Sequence, residues 1–73
     1  MLIINSAEQV GALVQKTRKA QGLTQTQLAG VSGVGIRFIV DLEKGKPTCQ
    51  LGKVLRVLHM LGIHFQTDEA NES

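Results

Sequence analysis

Between residues 35 and 41 the chain reads GIRFIVD, which sets one guanidinium, on Arg37, among small and aliphatic side chains at Gly35, Ile36 and Val40. A guanidinium donates two parallel hydrogen bonds to O6 and N7 of guanine, and aliphatic carbons contact the methyl group of thymine. The chemistry open to this segment is therefore the reading of base edges in a DNA major groove. Gly35, Ile36, Arg37, Val40 and Asp41 are the residues expected to face the bases, Arg37 on guanine and Ile36 or Val40 on a thymine methyl. Two other uses of Arg37 stay open: a phosphate contact and a solvated surface charge.

A second set suits phosphate. Gln25 falls at the first position of a helix that Thr24 opens, where unpaired backbone N–H groups and the positive end of the helix dipole point the same way. Thr24 and Gln25 are expected to hold a phosphate there; the alternative is a polar pair facing water. Lys44 and Lys46 follow the next helix, where they either grip the nucleic-acid backbone or simply favour the negative helix end. Other chemistry finds little support. His59 and His64 have no Cys, Asp or Glu at metal-ligand spacing, and Cys49 lacks both a disulfide partner and an ordering base. The eight glycines form neither of the phosphate-cradling patterns GxGxxG and GxxxxGK[ST]. No enzyme activity, metal or cofactor is expected.

The elements that must position these residues are short helices. Ser6 followed by Gln9 caps a first helix whose core face is Val10, Leu13, Val14 and Thr17 and which ends near Gly22. Thr24 and Gln27 repeat the capping signal for helix 2, about 25–32. Ala29 is small enough for a helix contact, and Gly33 can take the positive φ of a sharp turn. Helix 3 runs from near Gly35 to about Lys44, closed by Gly45 and stopped by Pro47, with Val34, Ile39 and Leu42 facing the core. Phe38 is assigned to the core as well. Arg18 late in helix 1 and Glu43 late in helix 3 then either clamp the two helices as an ion pair or stand as independent surface charges.

Thr48 caps helix 4, about 49–61, in which Leu51, Val54, Leu55, Leu58 and Leu61 make the expected core stripe. Val57 and Met60 fall on a flank left over for a subunit contact. Leu2, Ile3 and Ile4 read as an N-terminal strand, and the alternation of Ile63, His64, Phe65, Gln66 and Thr67 reads as a second. Such strands must pair within the chain or across a dimer. The expected dimer interface is thus Leu2, Ile3, Ile4, Val57, Met60, Ile63 and Phe65. At 73 residues the chain makes one small domain, over 1–67, that gains from extra burial, and 68–73 reads as a flexible acidic tail.

The formal charge of +2 understates the local field, since all eight basic residues lie from Lys16 to Arg56 while Asp68, Glu69 and Glu72 sit in the last six positions. With two phenylalanines and no Trp or Tyr, a base-stacking platform for single strands is disfavoured, and duplex DNA is the better partner. No segment resembles a signal peptide or a membrane span, so a cytoplasmic protein is expected.

The stretch GLTQTQLAGVSGVGIRFIVDLEKGKPT resembles the helix-turn-helix of the Xre/Cro family, and within it the HipB-type antitoxins, at Leu23, Thr24, Gln25, Leu28, Ala29, Gly33, Val34, Ile39, Leu42, Glu43, Lys44 and Gly45. The resemblance spans about residues 6–62. It implies an all-α, lambda-repressor-like domain of four helices, with short N- and C-terminal strands forming a small sheet at the dimer interface. It also implies that Gln25 binds phosphate, that Arg18 pairs with Glu43, and that Gly35, Ile36, Arg37 and Val40 reach bases. Gly35 stands where a hydroxyl or polar side chain is often found, so one cap and one DNA contact are missing. By the same resemblance the chain is a homodimer on a palindromic operator, an autorepressor and antitoxin that restrains a HipA-like Ser/Thr kinase toxin. The alternatives are a stand-alone phage-like or metabolic repressor, and a protein-interaction module that no longer binds DNA.

Overall fold

A computed structural model describes residues 6–47 and 50–64. They form four helices: α1 Ala7–Ala20, α2 Gln25–Ser32, α3 Ile36–Glu43 and α4 Leu51–Met60. Local chemistry sets most of the boundaries. The Ser6 hydroxyl accepts a hydrogen bond from Gln9 N at 3.2 Å. At α2 the capping box is reciprocal: Thr24 Oγ1 accepts from Gln27 N at 3.0 Å, while Thr24 N donates to Gln27 Oε1 at 2.9 Å. Two of the orphan donors of that helix are thereby paired. Gly33 ends α2 in the left-handed region with φ 69°, which a side chain would strain, so the chain reverses there within three residues and starts α3. α3 begins at Gly35 without a side-chain cap.

The core consists of Val14, Leu28, Ala29, Ile39, Leu42, Val57, Leu58 and Leu61, with Val10, Leu23, Val34, Phe38, Val54 and Ile63 half-buried around it. Each fully buried aliphatic side chain contributes about 1.5–3 kcal/mol relative to exposure. α3 packs against α1 and α2, and α4 packs on α2. The inner face of α1 runs through Gly11, Val14 and Arg18, turned slightly from the face expected through Leu13 and Thr17. Gly11 is buried where the α1 backbone meets the end of α3: an added Cβ would sit 2.9 Å from the Glu43 carbonyl oxygen and closer still to that of Leu42. The Gln21 amide donates to the Leu61 carbonyl at 2.8 Å and ties the end of α1 to the end of α4.

Helix 4 departs from expectation in register. Its buried face is Val54, Val57, Leu58 and Leu61, whereas Leu51 is 70% and Leu55 49% exposed. Val57, assigned to a subunit contact, is fully buried inside its own chain. The reason lies in a helix so rich in apolar residues that two faces both satisfy the i, i+3, i+4 spacing; packing against α2 selects one of them. The helix also starts later than expected, at Leu51, with Gln50 in the cap position and no side-chain cap bond; the expected cap Thr48 lies outside the described residues. Ile63 likewise belongs to no strand: its N–H donates to the Leu58 carbonyl at 2.9 Å, closing α4, and its side chain packs on the core. Among the described residues there is no strand, and Leu2, Ile3, Ile4 and Phe65 lie outside them. No described helix is long and apolar enough to cross a membrane.

One buried polar atom in this core stands alone. The Ser32 hydroxyl, on a residue 1% exposed, has no hydrogen-bond partner among the described residues. A buried unpaired hydroxyl costs about 1–3 kcal/mol, and alanine is also the better helix former. Ser32→Ala is therefore expected to leave the thermal midpoint unchanged or raise it by several degrees in a calorimetric scan; a clear fall would reveal a hydrogen bond that the hydroxyl makes.

Candidate nucleic-acid interface

The tight turn at Gly33 sets the start of α3 on the surface, so its outer face is open. Ile36 is 47% exposed, and the Arg37 side chain is 85% exposed. Gly35 is exposed and Val40 half-buried on the same helix. The opposite side of α3 carries Ile39 and Leu42 into the core, which packs the helix against α1 and α2 and turns the other face outward.

Asp41 sits lower on that outer face, its side chain 22% exposed. One carboxylate oxygen lies 3.5 Å from Arg37 Nε and the other 3.6 Å from Lys46 Nζ. The acid expected among the base-facing residues is thus placed between two of the cations expected to touch DNA. Lys44 and Lys46 are both exposed past the end of α3.

Beneath this face lies a buried polar network. Arg18 Nε donates to Glu43 Oε2 at 2.6 Å and Nη2 to Glu43 Oε1 at 3.1 Å, while Nη1 donates to the Leu23 carbonyl at 2.8 Å. The two side chains are 9% and 3% exposed. A forked, charge-assisted pair of this kind is strong only because both charges are satisfied. The hydrogen bond to Glu43 raises the Arg18 pKa, burial lowers it, and the Glu43 charge raises it further; the net effect is upward. Arg18 therefore stays a cation at any working pH. The Gln25 side-chain amide donates to Glu43 Oε1 at 3.1 Å. The residue at the first turn of α2 is thus held in place by the pair that joins α1 to α3, and its second amide hydrogen has no partner among the described residues. Thr24, beside it, uses its hydroxyl oxygen as the helix cap, which leaves the hydroxyl hydrogen able to donate outward.

Further contacts go beyond the sequence reading. Arg56 Nη1 approaches the carbonyl of Gly33 at 3.4 Å, so a cation from α4 meets the turn at the negative end of α2. Lys53 Nζ lies 5.8 Å from the centroid of the Phe38 ring, within the range of a cation–π contact. A helix end does call for a cation, yet nothing in the sequence says that α4 supplies it. His59 and His64 pack edge to face with centroids 5.5 Å apart. Among the described residues no three His, Cys, Asp or Glu side chains come close enough together to hold a metal ion.

Comparison with known proteins gives a consistent result. A family model described as helix-turn-helix matches residues 14–67. The chain is 63% identical over 59 residues to a protein of Sinorhizobium fredii (strain NBRC 101917 / NGR234) described as the uncharacterized HTH-type transcriptional regulator y4mF, covering 81% of this chain and 78% of that protein. Among solved structures, a HipB-O4 20mer complex superposes with a TM-score of 0.83 at 23% identity, over 96% of this chain and 99% of the other. A complex of a HipB variant with an O2 20mer gives the same TM-score and identity, over 96% and 97% of the two chains.

Proposed function

The chain belongs to the helix-turn-helix family, and from that premise we propose that it is a sequence-specific DNA-binding transcriptional regulator that sets α3 in the major groove. The observation that carries this reading is the outer face of α3, where an 85% exposed Arg37 stands beside an exposed Ile36 on a helix locked from behind by Ile39 and Leu42. In this reading Gly35, Ile36, Arg37 and Val40 meet base edges. Thr24 and Gln25 hold one phosphate at the start of α2, and Lys44 and Lys46 hold the backbone beyond the end of α3.

We further propose a homodimer on a palindromic operator, with the two Arg37 side chains about 34–36 Å apart so that both enter successive major grooves on one face of the duplex. Leu51, Leu55 and Met60, all exposed on α4, offer apolar surface for the second subunit. The overall likeness to HipB in complex with 20mers supports the narrower reading of an antitoxin and autorepressor that restrains a HipA-like kinase toxin in the cytoplasm. The description of the Sinorhizobium relative as an HTH-type transcriptional regulator is matched equally by the second reading, a stand-alone repressor.

Recovery of the tagged protein from its native lysate, with bound DNA and protein both sequenced, separates the two. A kinase-like protein together with a palindromic fragment of the chain's own promoter supports the antitoxin; the same fragment alone supports the stand-alone repressor; neither partner would overturn the DNA-binding proposal. For the base reader, Arg37→Ala is expected to weaken operator binding and abolish preference at one base pair per half-site, a discrimination of about 1–3 kcal/mol. Titration of single-base operator variants measures it, and an unchanged profile would remove Arg37 from the bases.

A further inference from the structure

We propose that Asp41 reads no base itself but positions the base reader, fixing the Arg37 guanidinium and tying it to Lys46. The inference rests on the DNA-binding reading above and adds a division of labour within it. The Arg37 side chain is 85% exposed, and a long exposed side chain loses rotamer entropy when it is made to point one way. An aspartate one helical turn later, on the same side of α3, restrains it before DNA arrives. The geometry suits that task. The carboxylate faces Nε at 3.5 Å, while the two terminal nitrogens of the guanidinium, which make no hydrogen bond among the described residues, form the fork that meets O6 and N7 of guanine.

The placement of Asp41 also argues against its touching DNA directly. Its side chain is 22% exposed, set back from the 85% exposed arginine, and both oxygens are turned toward cations, the second toward Lys46 at 3.6 Å. A carboxylate left bare on this surface would repel phosphate. Flanked by Arg37 and Lys46 it is neutralised, and it links the residue proposed to read a base to one proposed to hold the backbone. Removing its charge therefore does two opposite things. The local surface becomes more positive, which favours any duplex, and Arg37 is released, which lowers preference for the right one.

The test uses the full chain and the duplex that it selects from a randomised pool. With this probe, the wild type and Arg37→Ala, Asp41→Asn and Asp41→Glu are titrated against the selected duplex, its single-base variants and an unrelated duplex at several salt concentrations. For the wild type, discrimination on the order of tenfold or more is expected at one base pair per half-site, and its loss in Arg37→Ala marks that pair. In Asp41→Asn that discrimination is expected to fall to about threefold or less, while binding to the unrelated duplex tightens and its salt dependence steepens. Asp41→Glu, which keeps the charge one turn away, restores most of the preference. A merely structural role would weaken both duplexes together and would lower the thermal midpoint, which is expected to stay within a few degrees of wild type. Unchanged discrimination in Asp41→Asn, at a base pair where Arg37→Ala loses it, overturns the proposal for Asp41 alone. No selected duplex, or no base pair that depends on Arg37, overturns the reading on which it rests.

Discussion

Replacing Arg18 with methionine is expected to cost about 3–5 kcal/mol, a large part of the stability of a domain this size. Stability of roughly 0.05–0.15 kcal/mol per residue is the norm, so the variant would be partly or wholly unfolded at growth temperature. The physical cause is what stays behind. Glu43, 3% exposed, would keep its charge in the interior without the forked partner that satisfies it, and the Leu23 carbonyl would lose its donor. Breaking one side of a buried pair is far more damaging than removing both. The double substitution Arg18→Met with Glu43→Leu is therefore expected to regain most of the loss, and a double-mutant cycle by urea unfolding would read the coupling. Recovered stability should not bring recovered DNA affinity, because Gln25, which we propose holds a phosphate, is positioned through Glu43. A single variant as stable as the wild type would mean that the pair is hydrated in solution and adds nothing.

Arg18 and Glu43 also show what can be read from such a chain and what cannot. They lie 25 residues apart in sequence, and their meeting follows from placing each late in a helix beside a core residue. The α2–turn–α3 unit is equally legible, since its signals are local: a hydroxyl with Gln three residues on at Thr24 and Gln27, and a glycine where φ must be positive at Gly33. The register of α4 is a different matter. Its apolar residues at 51, 54, 55, 57, 58, 60 and 61 spread over more than half of the helix circumference, so spacing admits two inner faces and only the shape of α2 opposite picks Val54, Val57, Leu58 and Leu61. The polar contacts divide in the same way. The i,i+4 pairing of Arg37 with Asp41 is visible in the sequence once helix 3 is placed, whereas the reach of Gln25 to Glu43 and of Arg56 to Gly33 depends on three helices already standing in their final positions.

The one-methyl change Gly11→Ala should destabilise the domain nearly as severely. In most helices this change favours folding, by up to about 1 kcal/mol, because glycine is the poorer helix former. At Gly11 the added Cβ would lie 2.9 Å from the Glu43 carbonyl oxygen and nearer still to that of Leu42. Both obstacles are backbone atoms at the end of α3, so no side chain can turn away to make room. α1 must move off α3, which opens the contact along Val14 and lengthens the bond from Arg18, two turns further along the same face, to Glu43. Overpacking alone costs typically 1–3 kcal/mol, and with the ion pair disturbed the expected loss is about 2–4 kcal/mol, on the order of 10–20 °C in the thermal midpoint. Gly30 supplies the control, because it lies within α2 with nothing inside 4 Å of its would-be Cβ. Gly30→Ala is expected to raise the midpoint by about 2–8 °C from helix propensity alone. Calorimetric scans of the two variants beside the wild type check both signs at once. A Gly11→Ala protein that melts at or above the wild-type temperature would show that α1 and α3 do not make this close approach, and the clamp that holds α3 and Gln25 in place would have to be sought elsewhere.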